Sequence, residues 1–351
     1  MRFGQTSEIA MTDTVLVTGA TGFVAKHCIA ELLRHGYRVR GTVRDIAMTG
    51  DAVTRAMARA KIDGGEIALV AADLTSDAGW DEAVAGCRYV LHVASPFPIT
   101  QPTDRNEVIR PALDGTRRVL EAATRAGVER VVMTSSTVAV MYTSPRAPGH
   151  VYTESDWTDP ERGDITPYIA SKTLAEKAAW DFVGTTAGAP SLVAINPGFI
   201  LGPVLDPDQS TSIEVLRLMG TGAYPGAPRI VFPVVDVRDV AALHVKAMTE
   251  AKAAGARFLA TNGSLSLYNM GKLVAEAVPD IARKVPKFEM PDMMVRAIAI
   301  FDKRLRTVLP ELGVVRVCAN NKARDVFGHV FHTPEEAVRA GASSLRALRM
   351  I

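Results

Sequence analysis

The feature that most constrains the fold is a glycine turn near the start of the chain, between a short apolar run and a helical stretch. Thr14–Val17 form a β-branched run, Gly19-Ala-Thr-Gly22 follows, and helical periodicity continues to about His35. A strand, a glycine turn and a helix in this order are the context of a dinucleotide-binding loop. Gly19 allows the sharp turn, and Gly22 lets backbone N–H groups approach a pyrophosphate at the positive end of the helix. Ala25 stands where a third glycine is common, at a close helix–strand contact that tolerates alanine.

Segments of strand and helix character alternate through the first two hundred residues. Further strands are expected at Tyr37–Val43, Glu66–Val70, Tyr89–Val93, Val131–Thr134 and Ser191–Ile195, and helices between them include Asp114–Ala126. Strands that are each followed by a helix build parallel sheets with helices on both faces. The pattern therefore predicts an α/β fold with a Rossmann-type doubly wound parallel sheet.

The alternation loosens beyond Gly202, where a smaller second part of the chain is expected. Prolines concentrate in residues 203–233, which should be rich in loops, and Val234–Met248 then has the pattern of a strand followed by a helix. A strand is expected at Arg257–Ala260 and a helix at Thr333–Ala340, with Thr333 as N-cap and a proline next to it. We divide the chain into a nucleotide-binding domain (12–200 plus about 234–262) and a discontinuous C-terminal substrate domain (about 201–233 plus 263–345). Residues 1–10 are expected to be a flexible extension.

Composition argues against several classes of partner. Lys and Arg number 40 against 38 Asp and Glu, and the basic residues are scattered, so neither a nucleic acid nor an anionic membrane is expected as partner. No apolar run reaches the length of a membrane span. Cys28, Cys87 and Cys318 lack the spacing of a metal or redox site, and no His/Asp/Glu spacing indicates a metal. Sparse free thiols suit a reducing compartment, so a cytoplasmic protein is expected.

The end of the second strand indicates which dinucleotide is bound. Arg44 ends the stretch Gly41-Thr-Val-Arg, about twenty residues after the glycine turn. A carboxylate at this place suits the ribose 2′-hydroxyl of NAD, whereas an arginine suits the 2′-phosphate of NADP. Arg44 therefore favours NADP, although Asp45 follows it directly and could reverse the preference.

A second motif has the chemistry of proton transfer. Tyr168 and Lys172 are four residues apart in a helical stretch, so their side chains lie on one face, one turn from each other. An ammonium beside a phenol should lower its pKa and ease proton exchange. Ser135 and Ser136 end the fifth strand, at the edge where ligands of such sheets gather, and a hydroxyl there could orient a substrate carbonyl oxygen.

The chain resembles the extended short-chain dehydrogenase/reductases, and within them the branch of dihydroflavonol reductases, cinnamoyl-CoA reductases and microbial carbonyl (aldehyde) reductases. The resemblance runs from about residue 12 to 340. It is carried by the segments Val15-Leu-Val-Thr-Gly-Ala-Thr-Gly-Phe-Val, Gly41-Thr-Val-Arg44, Ala72-Asp-Leu-Thr75, Leu91-His-Val-Ala-Ser-Pro-Phe97, Thr134-Ser-Ser-Thr-Val138, Tyr168-Ile-Ala-Ser-Lys172, Asn196-Pro-Gly-Phe199 and Val235-Asp-Val-Arg-Asp-Val240.

The resemblance implies a role for each matching residue. Ser136, Tyr168 and Lys172 would form the catalytic set, with Ser135 the other candidate for the serine. The residues implied to bind the cofactor are Gly19, Thr21, Gly22, Phe23, Arg44, Asp73, Leu74, Val93, Ala94, Ser95, Tyr168, Lys172, Pro197 and Gly198. Asp73 would receive the adenine amino group, and Pro197-Gly198 would border the nicotinamide carboxamide. The asparagine that often completes the set has no clear match; Asp114 lies in the corresponding stretch.

The activity implied is reversible reduction of a ketone or aldehyde to an alcohol, with NADPH as hydride donor and Tyr168 as proton donor. A small-molecule carbonyl compound would be the substrate, and the protein would be a monomer or a homodimer. Two alternatives stay open: a sugar-nucleotide epimerase or dehydratase that retains NAD, and a non-catalytic NADP-binding regulatory protein. His92, His244 and the cluster Met290–Met294 are more simply explained as core or pocket lining than as catalytic groups.

Overall fold

The structure is a computed structural model that describes residues 13–95, 104–144, 149–207, 210–301, 306 and 308–351. The predicted extension 1–10 and residues Pro96 and Phe97 of the family resemblance lie outside these ranges. Strands are numbered in chain order: β1 (Thr14–Val17), β2 (Arg38–Val43), β3 (Ile67–Ala71), β4 (Cys87–His92), β5 (Arg130–Thr134), β6 (Val151–Tyr152), β7 (Ser191–Pro197), β8 (Phe199–Leu201), β9 (Ala227–Pro228), β10 (Val231–Asp236), β11 (Ala256–Ala260), β12 (Ser264–Ser266), β13 (Glu289–Met290) and β14 (Val317–Cys318).

The α-helices are numbered in the same way. They are α1 (Phe23–Arg34), α2 (Ile46–Arg59), α3 (Trp80–Val84), α4 (Asn106–Arg125), α5 (Pro167–Thr185), α6 (Thr211–Thr221), α7 (Val237–Thr249), α8 (Leu267–Ala277), α9 (Asp292–Ala299), α10 (Asn321–Phe327) and α11 (Pro334–Ala347). No helix in the described part of the chain is long and apolar enough to cross a membrane.

A seven-stranded parallel sheet forms the centre of the molecule, in the order β11-β7-β5-β4-β1-β2-β3. The interior strand β5 is buried along its whole length, as expected for a sheet covered by helices on both faces. The predicted Rossmann-type doubly wound sheet is therefore confirmed, and the strand boundaries differ from the prediction by one or two residues. The chain leaves β1 toward β2 on one side and reaches β4 on the other, which opens a crevice at the carboxyl ends of these strands.

The C-terminal part has its own small sheet and core. β10 pairs parallel with β8 and antiparallel with β12, and α6, α8 and α11 pack beside this three-stranded sheet. Ile213, Leu216, Val274 and Leu345 are among the side chains buried between these elements. Phe199 and Phe232 pack against this second core and line the crevice.

Two helices differ from the sequence prediction. The proline-rich region 203–233 contains the eleven-residue helix α6, capped by Ser210, because its prolines lie on both sides of the helix and none lies within it. Helix α4 begins eight residues before the predicted start at Asp114 and runs through Pro111, which costs it one backbone hydrogen bond. The N-terminus of α11 agrees with the prediction: Thr333 caps it, and Glu336 completes a capping box.

Candidate active site

The glycine turn after β1 leaves the first backbone amides of α1 open to the crevice. Gly19 has φ +67°, and a Cβ there would lie 3.0 Å from the Cβ of Ala94, so glycine is needed both for the turn and for the close approach. Gly22 is the N-cap of α1 and has extended backbone geometry. No acidic side chain lies in the first turn of this helix. The loop therefore fits a pyrophosphate at the positive end of α1.

One cavity of about 1370 Å³ joins this loop to the ends of the strands. All the predicted site residues line it: Gly19, Thr21, Gly22, Phe23, Arg44, Asp73, Leu74, Val93, Ala94, Ser95, Ser136, Tyr168, Lys172, Pro197 and Gly198. Residues that are far apart in the sequence therefore share one space, large enough for a dinucleotide and a small substrate together.

Arg44 and Asp45, which are neighbours at the end of β2, point to different surroundings. Arg44 is exposed and lines the cavity. The Asp45 carboxylate caps α2, where it accepts hydrogen bonds from the backbone N–H of Ala47 (2.8 Å) and Met48 (3.3 Å). Because this capping role occupies Asp45, Arg44 is the charged side chain of this pair that lines the cavity.

Ser135 and Ser136 also separate in the structure. The Ser135 hydroxyl is buried and donates to Glu176 Oε2 at 2.5 Å. The Ser136 hydroxyl faces the cavity, where it forms a hydrogen bond with the Tyr168 hydroxyl. Its Oγ also lies 3.5 Å from the carbonyl oxygen of Pro197. Ser136 is thus the serine of this pair whose hydroxyl contacts Tyr168 in the cavity.

Tyr168 occupies the first turn of α5. Thr166 caps this helix and Pro167 takes its first position, so the sequence fixes where the helix begins. The expectation that Lys172 lowers the pKa of the phenol differs from the structure. Burial raises the pKa of Tyr168 to about 12, and the hydrogen bond with Ser136 offsets part of that rise. A tyrosine in this state keeps its proton at neutral pH and can donate it.

Lys172 lies one helical turn from the half-buried Tyr168 and is itself buried. Its Nζ donates a hydrogen bond to the carbonyl oxygen of Thr134 at 3.2 Å, at the end of β5. Burial lowers the pKa of Lys172 to about 8, while the negative charge of Glu176 acts in the opposite direction. The ammonium is therefore close to its titration point at physiological pH.

Glu176, Asn196 and Arg257 form a buried polar cluster beneath these residues, and sequence reasoning missed it. Glu176 is fully buried and lies one turn beyond Lys172. The spacing Tyr168, Lys172, Glu176 was a usable signal, because a third residue at the same interval lies on the same inward face of the helix. Asn196 and Arg257 carried no local signal of this kind.

A second missed group lines the cavity from the C-terminal part of the chain. The Tyr142 hydroxyl donates to Glu311 Oε1 at 3.1 Å, and Arg316 is paired with the same carboxylate. The Arg316 guanidinium carbon lies 4.2 Å from the centre of the Tyr142 ring. All three residues line the cavity, together with Phe199 and Phe232, whose rings stack at 4.5 Å. This wall combines apolar rings with one internally paired set of charges.

The other candidates from the sequence have structural explanations. His92 is buried and its Nδ1 lies 3.1 Å from Thr18 Oγ1, and His244 is buried between Thr134 Oγ1 and the Val240 carbonyl, both at 2.7 Å. Asp114 is exposed on α4, so it does not extend the set beyond Lys172. In the methionine cluster Met290 is buried, but Met293 and Met294 are exposed and do not line the cavity. Among the described residues no group of three His, Cys, Asp or Glu side chains could hold a metal ion.

With this geometry described, comparison with known proteins gives the family. The sequence model of the NAD dependent epimerase/dehydratase family, the extended short-chain dehydrogenase/reductases, matches residues 15–260. The chain belongs to this family. The match spans every strand of the central sheet and contains the glycine turn, both serines, Tyr168 and Lys172.

Similar members of the epimerase/dehydratase family are reductases by name. A cinnamoyl-CoA reductase of Medicago truncatula is 37% identical over 250 residues, which cover 69% of this chain and 74% of the relative. The ketoreductase azaE of Aspergillus niger is 32% identical and covers 96% of this chain and 98% of the relative. The structure of Gre2 from Candida albicans, solved in complex with NADPH, superimposes with a TM-score of 0.78 at 30% identity, over 95% of this chain and 99% of that one.

Proposed function

We propose that this protein is an NADPH-dependent reductase that converts a ketone or an aldehyde to the alcohol, and that it catalyses the reverse reaction with NADP. One observation carries the proposal: Ser136, Tyr168 and Lys172 converge in the same cavity as the glycine turn and Arg44. The names of similar proteins, a cinnamoyl-CoA reductase and a ketoreductase, support the same reaction class.

The residues of the loop and strand ends fit NADPH. The amides of α1 at Gly22 would hold the pyrophosphate, and Arg44 would pair with the 2′-phosphate. Asp73 would take the adenine amino group; its pKa is lowered mainly by hydrogen bonds from Thr75, so it is ionised at neutral pH. Pro197 and Gly198 would border the nicotinamide. A Cβ at Gly198 would lie 2.4 Å from the Pro233 carbonyl, so this border is closely packed.

The catalytic step follows from the positions of three side chains. When bound, NADPH supplies the hydride that reduces the carbonyl carbon. Ser136 holds the carbonyl oxygen beside the Tyr168 hydroxyl, and Tyr168 transfers its proton to that oxygen as negative charge develops there. The Lys172 ammonium, one turn away, stabilises the phenolate that remains on Tyr168. In the reverse direction the Tyr168 phenolate accepts the alcohol proton.

We place the substrate between the carboxyl edge of the sheet and the C-terminal part of the chain, residues 201–233 and 263–345. Phe199, Phe232 and the Tyr142 ring offer apolar surface, so substrates with an aryl or alkyl body are preferred. The protein would act in the cytoplasm as a monomer or homodimer. Its three cysteines are free thiols, which suits a reducing compartment.

The direct test is steady-state NADPH oxidation with a panel of aryl ketones, β-ketoesters, aldehydes and dihydroflavonols. Wild-type protein should reduce at least one class. Tyr168→Phe should lower kcat by at least about a thousandfold, because it removes the proton donor, and leave the Kd for NADPH nearly unchanged. Full activity in this variant would refute the mechanism. Copurified NAD with no consumption of added NADPH would indicate an epimerase or dehydratase. Binding of NADPH without turnover of any substrate would indicate a regulatory protein.

A further inference from the structure

Glu176 lies on α5, one helical turn beyond Lys172. Tyr168, Lys172 and Glu176 follow each other at intervals of four residues, so their side chains lie on one face of the helix. Tyr168 lies at the cavity, Lys172 lies deeper against Thr134, and Glu176 is fully buried. A buried carboxylate is costly unless it is paired and hydrogen-bonded, so its presence at this point needs a reason.

Four side chains donate hydrogen bonds to the Glu176 carboxylate. These are Ser135 Oγ (2.5 Å), Asn196 Nδ2 (2.7 Å), Arg257 Nε (2.5 Å) and Trp180 Nε1 (3.2 Å). Ser135 follows β5, Asn196 is in β7 and Arg257 is in β11, so one carboxylate ties α5 to three adjacent strands.

Two of these donors are directly connected to the reacting groups. Asn196 Nδ2 also donates to the backbone carbonyl of Ser136 at 3.2 Å, and Asn196 precedes Pro197 and Gly198 in the chain. Ser135 precedes Ser136, and its hydroxyl is engaged by Glu176. The carboxylate therefore fixes both strand ends that approach the Tyr168 hydroxyl.

The charge of Glu176 faces Lys172. The other titratable groups near Lys172 are neutral at pH 7: burial lowers the pKa of His92 on β4 to about 3, and that of His244 on α7, reached through Thr134, to about 4. Tyr168 keeps its proton. Glu176 is thus the anion that holds the pKa of Lys172 up against burial.

Arg257 balances this charge from the opposite side. Its Nη1 donates to the backbone carbonyls of Glu154 (3.1 Å) and Asp156 (2.9 Å), and its guanidinium carbon lies 3.5 Å from the Trp157 ring centre. Buried ion pairs contribute little to stability compared with apolar side chains of equal size. A role in the site explains the pair better than stability does.

We propose that Glu176 is a positioning residue of the reductase site, which fixes the strand ends carrying Ser136 and Pro197 and places a negative charge one helical turn from Lys172. The inference rests on the proposed function, since it assigns Glu176 a task in that reaction. Glu176 touches neither substrate nor cofactor in this scheme; it acts through Ser135, Asn196 and Lys172.

The first test is the variant Glu176→Gln, which keeps the shape of the side chain and removes its charge. We expect kcat for NADPH-dependent reduction to fall at least about tenfold. The alkaline limb of the kcat–pH profile should move to lower pH by roughly one unit, because Lys172 loses its neighbouring anion and gives up its proton more readily. The Kd for NADPH should change much less than kcat.

Arg257→Gln is the matched variant, because it removes the cation and leaves the anion. If the charge of Glu176 acts on Lys172, this variant should move the alkaline limb in the opposite direction, to higher pH. A purely structural cluster would lower kcat in both variants without moving the limb, and that result would overturn the proposal. The double variant Glu176→Gln/Arg257→Gln buries no unpaired charge, so it keeps the test open if either single variant fails to fold. Its limb should lie below the wild-type position, because the Glu176 charge that acts on Lys172 is absent.

A readout without turnover separates this inference from the proposed function. NMR of protein labelled with ¹³C at the lysine ε-carbons, with the Lys172 signal assigned by Lys172→Arg, follows the Lys172 titration in the absence of substrate. Glu176→Gln should shift that titration to lower pH even if no tested carbonyl compound is reduced. An unchanged titration beside an active wild type would refute the role of Glu176 and leave the reductase assignment standing.

Discussion

At the end of β2, the helix-capping role of Asp45 determines which of two neighbouring charged residues lines the cavity. Both follow β2, but Asp45 is held by the α2 backbone, and Arg44 is left to line the cavity. Arg44→Gln should weaken NADPH binding by about ten- to a hundredfold, the range expected for losing a charged hydrogen bond to a phosphate. NADH binding, measured by the same fluorescence titration, should stay constant.

Asp45→Asn is the control for this prediction. Asparagine also caps helices well, so the helix should be preserved and the ratio of NADPH to NADH affinity should stay as in the wild type. An equal loss of affinity for NADPH and NADH in Arg44→Gln would contradict the assignment. It would mean that Arg44 contacts the pyrophosphate, which both cofactors share, or that it stabilises the fold.

Two site properties at the residue scale could not be read from the sequence. Ser135 and Ser136 are adjacent and chemically identical, and only the structure shows that the Ser135 hydroxyl binds the buried Glu176 carboxylate while that of Ser136 meets Tyr168. The sign of the Tyr168 pKa shift depends on how deeply the phenol is buried. The spacing of residues in the sequence shows which side chains are neighbours on a helix. How deeply a side chain is buried depends on all the elements that pack around it.

At the scale of elements, the sequence predicted the sheet well because buried parallel strands are short apolar runs with clear ends. It predicted α6 and the start of α4 poorly, and prolines lie near both errors. In α6 they flank the helix, and in α4 Pro111 lies inside it and is tolerated. The predicted site residues lie on or directly after the predicted elements, which explains why they line one cavity together.

The two glycines that flank α3 give a prediction at this scale. Gly79 (φ +85°) and Gly86 (φ +70°) are both left-handed, so alanine strains either site by about 1–2 kcal/mol. A Cβ at Gly79 would lie 2.1 Å from the Ala71 carbonyl oxygen at the end of β3, whereas a Cβ at Gly86 meets nothing within 4 Å. In urea unfolding, Gly79→Ala should therefore be the more destabilised variant, by at least about 2 kcal/mol.

The same pair tests how β3 positions Asp73, two residues after Ala71. Gly79→Ala displaces the end of β3, so NADPH should bind more weakly to this variant than to Gly86→Ala, which serves as the control. Equal stability of the two variants would mean that the Ala71 carbonyl moves aside without cost.

At the scale of the whole molecule, distant segments complete the site. Glu176 meets Arg257 across 81 residues of sequence, and Tyr142 meets Glu311 across 169. The central sheet brings the first pair together, and the C-terminal segment that reaches back to the cavity brings the second. A single sequence contains no local pattern for such contacts, so the paired residues of this cavity wall could not be predicted from it.

Buried histidines distributed over the molecule predict its response to acid. Burial is the main cause that lowers the pKa values of His27, His92 and His244 to about 4, 3 and 4, from an ordinary value of 6.5. Between pH 7 and 5 the unfolded chain binds protons at these residues and the folded chain does not. The free energy of unfolding should therefore decrease as the pH is lowered from 7 to 5, by roughly 1–2 kcal/mol per histidine. Urea unfolding at pH 7, 6 and 5 measures this slope.

Two variants test the source of the slope. His244→Gln should reduce the slope by about a third, whereas His35→Gln, at an exposed position, should leave it unchanged. A free energy of unfolding that is constant from pH 7 to 5 would show that the histidines titrate alike in the folded and unfolded states.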